Sequence, residues 1–153
     1  MTRSSPVHLI RRWWRTIRAT PLTDAEQEWV FVQLLASERV LWSVMDWRDQ
    51  RHSYHVARHF AEMFSGEDPP ARSAIAAALL HDVGKTVSGL TTFERVLASV
   101  LGGRTERWRA YLDHEAIGLD QCRRAGSDPA TLALLDGEGS KEFQRRLQQA
   151  DDI

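Results

Sequence analysis

The sequence has almost no cysteine. Cys122 is the one cysteine among 153 residues, so no disulfide can form within the chain and no cysteine cluster can bind zinc. No uninterrupted apolar run approaches the roughly 18 residues that a membrane-spanning helix requires, and the N-terminus lacks the apolar core of a signal peptide. These absences argue against a disulfide-stabilised secreted fold and predict a soluble protein of the cytoplasm.

Acidic residues are missing from the first 23 positions. Five of the 20 Lys and Arg residues lie there, which leaves 15 basic residues against 21 acidic ones in the remainder of the chain. A body with that balance is not expected to bind a nucleic-acid duplex, because such proteins usually carry a basic domain. The five early basic residues are Arg3, Arg11, Arg12, Arg15 and Arg18.

The early arginines belong to a separate element. Residues 7–18 predict a basic amphipathic helix within an arm of residues 1–20. Its apolar side consists of Ile10, Trp13, Trp14 and Ile17. Two interpretations stay open: the arm contacts an anionic membrane surface or a nucleic acid, or it packs on the domain as an extra helix. The rest, residues 21–153, is long enough for one domain with a single core.

Apolar residues recur at helical spacing along the whole chain, and no segment alternates as a strand would. This pattern predicts an all-α fold, a single-domain orthogonal helical bundle. Thr23 and Glu26 form a capping box that begins one helix, and Ser37 and Asp49 are the predicted caps of the next two. Further helices are predicted from residue 71 to the turn at Gly84 and over 92–101, 105–125, 129–135 and 140–152.

Three of these helices place an ionisable residue at the end of an apolar stripe. The stripes end at His52, Asp82 and Asp151, and His81 precedes Asp82. A buried carboxylate is costly unless it is paired or bound to a metal. One shared divalent cation would satisfy all of them. Mixed imidazole and carboxylate ligation favours Mn, Fe, Co, Ni or Mg over a structural zinc ion.

The order of His52, His81-Asp82 and Asp151 resembles the HD-domain superfamily of metal-dependent phosphohydrolases, whose signature is H…HD…D on an all-α fold. The stretch RHSYHVA is similar to the helix of the first ligand in that superfamily. AALLHDVGK is similar to its HD helix and the glycine-lysine turn that follows, and LQQAD to the helix of its last ligand. The similarity covers residues 49–152.

The resemblance implies roles for particular residues. It implies that His52, His81, Asp82 and Asp151 bind a divalent metal. Asp82 and Lys85 are the catalytic candidates, since Asp82 would orient the attacking water and Lys85 would lie near the substrate phosphate. DHEAIGLD is similar to an element by which binuclear members supply another histidine. Candidates for a second metal, or for groups that line the site, are His59, His114, Asp136 and Glu138.

The activity implied by this resemblance is hydrolysis of a small phosphoester, nucleotide or nucleotide-like, by water that a divalent metal activates. A second hypothesis is a degenerate HD domain that binds a metal or nucleotide as a regulatory module without turnover. The intact HD-x-x-K element favours the enzyme. Binuclear relatives have further histidines where this chain offers Asp136 and Glu138, which favours the module.

Overall fold

The computed structural model describes residues 20–64, 70–88 and 114–152. The amphipathic helix predicted over 7–18, the helix predicted over 92–101 and the first part of the one predicted over 105–125 lie outside the described residues.

All regular structure in these ranges is helical, which confirms the all-α prediction. None of the described helices combines the length and the apolar character that crossing a membrane requires. In chain order the helices are α1 (Asp24–Gln33), α2 (Ala36–Ser43), α3 (Trp47–Glu62), α4 (Arg72–Leu80), α5 (Lys85–Ser88), α6 (His114–Arg124), α7 (Pro129–Leu135) and α8 (Lys141–Asp151).

Several helices begin where local side chains satisfy their first backbone N–H groups. At α1 the predicted capping box is confirmed, because Thr23 accepts from the Glu26 N–H and Glu26 accepts from the Thr23 N–H at 2.7 Å. Asp128 caps α7 by accepting from the Ala130 N–H, and Ser140 caps α8. Helix α7 has the bounds that the sequence predicted.

Two predicted helix starts were wrong. The N-cap of α2 is Leu35 and not Ser37, because Glu38 reaches back to accept from the Leu35 N–H at 2.8 Å. The N-cap of α3 is Asp46 and not Asp49. The earlier start of α3 brings Gln50 into its first turn, where the Gln50 amide donates to three carbonyls near the end of α2. Carbonyls at the C-terminal end of a helix are short of intrahelical donors, and Gln50 supplies a side-chain donor there.

Helix α4 forms the centre of the core. Its residues 75–80 are all buried, and it packs against α3, α7 and α1. Small alanine side chains on α4 let these neighbours approach closely. Helix α8 packs on α3 through the rings of Phe60 and Phe143, whose centroids are 5.2 Å apart. As a result, α3, α8 and the C-terminal end of α4 meet at one place.

Candidate metal centre

The end of α4 delivers His81 and Asp82 to that meeting point. Helix α4 ends at Leu80, and the chain continues in tight turns in which the Lys85 N–H donates to the Asp82 carbonyl at 3.0 Å. Asp82 is only 2% exposed. The buried apolar run ahead of it fixes the helix in the core, so its two polar residues emerge at a defined position.

The glycine after Asp82 permits a close contact with α6. A Cβ atom at Gly84 would lie 1.9 Å from the His114 carbonyl oxygen and 2.6 Å from the Gly118 backbone nitrogen. No side chain fits there, so the turn and α6 touch backbone to backbone. This contact places the His114 ring beside Asp82, with 3.5 Å between His114 Nε2 and Asp82 Oδ1.

Side chains from three parts of the chain converge on Asp82. His52, on α3, and His81 place their Nε2 atoms 3.8 and 3.5 Å from Asp82 Oδ2. The ligand atoms of these three residues all lie within 4.8 Å of one another. Asp151, in the last turn of α8, has Oδ1 at 2.8 Å from His52 Nε2 and 3.7 Å from His81 Nε2. The four residues predicted as metal ligands are therefore neighbours.

One nitrogen in this cluster suits a metal particularly well. His81 Nδ1 lies 2.8 Å from the Ala78 carbonyl oxygen, which can only accept, so Nδ1 carries the proton and donates. His81 Nε2 is buried and makes no hydrogen bond within the described ranges. Metal-binding imidazoles typically donate from one ring nitrogen to a carbonyl or carboxylate and bind the metal with the other. The orientation of His81 and its free Nε2 fit that role.

Strong electric fields surround Asp82. Its complete burial would by itself raise the pKa of the carboxyl group. The positive charges of His81 and Lys85, the hydrogen bond from His114 and the charge of His52 outweigh burial and hold the pKa of Asp82 well below 3.8. The carboxylate is therefore ionised at neutral pH, as a metal ligand must be.

The carboxylate charges beside His81 are negative and act on its pKa in the opposite direction. Burial would lower the pKa of His81, but the negative charges of Asp82 and Asp151 raise it above 6.5. Two carboxylates around one imidazole thus attract a proton, and they would attract a metal cation for the same reason.

Lys85 contacts Asp82 directly, which the sequence did not indicate. The ammonium group donates to Asp82 Oδ2, and only 9% of the lysine side chain is exposed. The predicted role of Lys85 beside a substrate phosphate stays a prediction. Its position within the same cluster is compatible with that role.

Three of the remaining candidate residues make contacts elsewhere or lie on the surface. His59 is two turns beyond His52 on α3 and pairs with Glu62, at 3.9 Å. Asp136 is exposed and forms an ion pair with Arg123 at 2.7 Å. Glu138 is exposed. The structure thus does not bring these residues into the group formed by His52, His81 and Asp82.

Sequence reasoning missed the groups that support the site. The Ala78 carbonyl orients His81, and Gly118 makes room for the turn at Gly84. The glycine inside DHEAIGLD was a usable signal for Gly118, because a glycine within a helix often marks a close backbone contact. The role of the Ala78 carbonyl could not be predicted, because every residue has a backbone carbonyl.

The family of the chain follows from comparison with known proteins. Comparisons with curated proteins and with solved structures found no match. A family model described as HD domain matches residues 50–148, well over half of the chain. The matched range contains His52, His81 and Asp82, and Asp151 follows three residues after its end. The chain therefore belongs to the HD-domain family.

Proposed function

We propose that this HD domain is a divalent-metal-dependent phosphohydrolase that cleaves a small phosphoester, nucleotide or nucleotide-like, with water. HD domains are generally metal-dependent hydrolases, which supports the reaction class. The observation that carries the proposal is the convergence of His52, His81 and Asp82, whose ligand atoms lie within 4.8 Å of one another. The nucleotide-like substrate class rests on the family resemblance.

His52, His81 and Asp82 would hold the cation, together with Asp151. Two imidazoles and two carboxylates suit Mn, Fe, Co, Ni or Mg, all of which accept nitrogen or oxygen ligands. When bound, a divalent cation supplies positive charge that polarises a phosphoryl oxygen and makes water a stronger nucleophile near neutral pH.

The side chains of the cluster contribute the remaining chemistry. The ionised carboxylate of Asp82 accepts a hydrogen bond from the attacking water and so orients it toward phosphorus. The ammonium of Lys85 offsets the negative charge that develops on the phosphate oxygens. Burial of Asp82 and Lys85 lowers the local polarity, which strengthens both interactions.

The decisive experiment measures metal binding and hydrolysis together. The protein loaded with Mn²⁺ is tested against generic phosphomonoesters, phosphodiesters and nucleotides. Replacing Asp82 with asparagine preserves the shape of the side chain but removes its charge. We expect Asp82→Asn to lose Mn²⁺ binding and to lose turnover by roughly a thousandfold, the equivalent of about 4 kcal/mol of transition-state stabilisation.

The matched control is Asp120→Asn. Asp120 is exposed on α6 and pairs only with its neighbour Arg124 among the ion pairs of the described residues. We expect this variant to retain both binding and turnover. Circular dichroism verifies that Asp82→Asn is folded. If the folded variant hydrolyses phosphoesters as fast as the unsubstituted protein, the site assignment is wrong.

A second candidate function is a regulatory module that binds a metal or nucleotide without turnover. It is favoured by the positions of Asp136 and Glu138, which are exposed and so do not supply the second set of ligands of a binuclear relative. The same experiment separates the two functions. Saturable Mn²⁺ or nucleotide binding without hydrolysis of any tested phosphoester supports the module.

A further inference from the structure

Several nitrogen atoms approach one oxygen of Asp82. Asp82 Oδ2 accepts a hydrogen bond from Lys85 Nζ. The same oxygen lies 3.5 Å from His81 Nε2 and 3.8 Å from His52 Nε2. The other oxygen, Oδ1, lies toward His114. The atom that faces both imidazoles is therefore the atom that the ammonium already contacts.

The pair of Lys85 and Asp82 is built into the turn. The backbone N–H of Lys85 donates to the Asp82 carbonyl at 3.0 Å, and residues three apart in a helical turn share one side of it. Only 9% of the Lys85 side chain and 3% of the Asp82 side chain are exposed. Water has little access to either charge, so the contact between the two offsets part of the cost of their burial.

We infer that Lys85 is an internal counterion, which a divalent metal displaces from Asp82 Oδ2 when it binds. This inference rests on the metal site of the proposed function. A dication and an ammonium repel each other strongly in a buried site, so they do not share one carboxylate oxygen. Lys85 therefore lowers the affinity of the site for metal.

Displacement of Lys85 has a second effect. The ammonium is carried by a flexible four-carbon stem and has three N–H donors. Once it leaves Asp82, the N–H that Asp82 accepted is available to an oxygen of a phosphate beside the site. Metal binding thus prepares the lysine for substrate, and the metal-free protein keeps it engaged with Asp82.

The composition of the chain allows a direct observation of this switch. The sequence contains two lysines, Lys85 and Lys141, and Lys141 is exposed at the start of α8. Selective isotope labelling of the lysine Cε and Nζ atoms gives two side-chain NMR signals. The Lys141→Arg variant lacks one of them, which assigns the remaining signal to Lys85. On saturation with Mg²⁺ we expect the Lys85 signal to shift and the Lys141 signal to stay. A stationary Lys85 signal, with Mg²⁺ binding verified by calorimetry, overturns the inference.

Metal affinity provides the second measurement. Lys85→Met removes the charge and keeps the approximate length of the side chain. We expect it to bind Mn²⁺ about tenfold more tightly than the unsubstituted protein, because the metal no longer displaces a cation. We also expect a larger rise in Tm on Mn²⁺ addition, since the metal-free variant has lost the ammonium partner of a buried carboxylate.

Two control variants isolate the charge of Lys85. Lys85→Arg keeps the charge, so its Mn²⁺ affinity should stay close to that of the unsubstituted protein. Lys141→Met removes the other lysine charge, at an exposed position, and should change nothing.

The outcomes separate this inference from the proposed function. Equal Mn²⁺ affinity in the unsubstituted protein and Lys85→Met would overturn the counterion and leave the metal site standing. Absence of Mn²⁺ and Mg²⁺ binding in every variant would overturn the metal site and the inference with it. If Lys85→Met does not fold, the same comparison of Mn²⁺ affinity is made with Lys85→Gln. The response of the Lys85 signal to Mg²⁺ in the unsubstituted protein then tests the inference independently.

Discussion

Arg51 and His52 are neighbours on α3, yet they belong to polar clusters of opposite character. Arg51 donates to Glu26 through two nitrogens, at 2.6 and 3.0 Å, and to the carbonyls of Thr20 and Pro21 at 2.8 and 2.7 Å. Glu26 also accepts from Thr23. Donors and acceptors match in this Arg51 cluster, which ties the start of α1 to α3.

The cluster around Asp82, which includes His52, has no such balance. Several nitrogens approach a single carboxylate, and His81 Nε2 is buried without a hydrogen bond in the described part of the chain. A buried polar atom without a partner is costly, and a bound cation would remove that cost for His81 Nε2. The difference supports a structural role for the Arg51 cluster and is consistent with the metal site proposed for the Asp82 cluster.

The largest effect is expected from crowding the turn at the Asp82 cluster. In Gly84→Ala the new Cβ would meet the His114 carbonyl and the Gly118 nitrogen, and backbone cannot rotate away as a side chain can. We expect unfolding in urea to show a loss of at least about 3 kcal/mol. Gly126→Ala is the control, because Gly126 has φ +71° and open space around it, so only about 1 kcal/mol of backbone strain is expected. Equal losses would contradict the packing role of Gly84.

Removing Arg51 should separate stability from metal binding. Its side chain is 11% exposed and that of Glu26 25%, so Arg51→Ala leaves a partly buried carboxylate without its main donor. We expect a loss of about 2–3 kcal/mol in urea unfolding. Arg145→Ala, in an exposed ion pair, should cost less than about 1 kcal/mol. The Mn²⁺ affinity of folded Arg51→Ala should equal that of the unsubstituted protein. A large change would show that the two clusters are energetically coupled.

Acidification should weaken metal binding at the Asp82 cluster. Because the pKa of His81 is raised above 6.5, a proton occupies its imidazole at higher pH than in an ordinary histidine. The metal requires the unprotonated Nε2, so protons and metal compete. Below that pKa we expect Mn²⁺ affinity to fall about tenfold per pH unit for each proton displaced. Calorimetry in buffers of different ionisation enthalpy counts the protons, and an affinity independent of pH would contradict this competition.

The smallest effect is expected from acid on the Arg51 cluster. The hydrogen bond from Arg51, followed by that from the Thr23 N–H, lowers the pKa of Glu26 from 4.5 to about 2. The folded pKa is below the unfolded one, so this stabilisation is complete above pH 4.5 and is lost as the pH falls toward about 2. We expect about 1 kcal/mol of the acid destabilisation in that interval to disappear in Glu26→Gln. If the unsubstituted protein and Glu26→Gln lose stability identically as the pH falls, the lowered pKa of Glu26 does not contribute to stability.

Local features of the fold could be predicted from sequence. The capping box joins Thr23 and Glu26, which are three residues apart, so residue type and spacing reveal it. The start of α3 could not be predicted in this way. Asp46 and Asp49 are both suitable caps, and the choice depends on Gln50 reaching carbonyls of another helix.

The polar groups that hold the core together were hidden. Glu38 is fully buried, and Arg72 connects it to Asp128 at distances of 3.7 and 3.3 Å. Arg72 and Asp128 are 56 residues apart, so no periodicity links them. Charged residues are usually exposed, and Glu38 belongs to no motif that would indicate its burial.

The site was partly predictable because its residues terminate apolar stripes. A stripe shows which side of a helix faces the core, so His52, Asp82 and Asp151 could be placed inside before any geometry was known. The stripe does not show what a neighbouring lysine contacts. The pairing of Lys85 with Asp82 depends on the turn at Gly84, and a loop conformation is not encoded in periodicity.

The contact of His52 with Asp151 spans 99 positions of the chain. A cation shared by these two residues would act as a clasp, because it ties the final turn of α8 to α3 and restricts the unfolded chain as a crosslink across a long loop does. Metal supply would then govern the integrity of α8 as well as catalysis. When metal is scarce, α8, the helix that completes the core, would be the first to lose its packing.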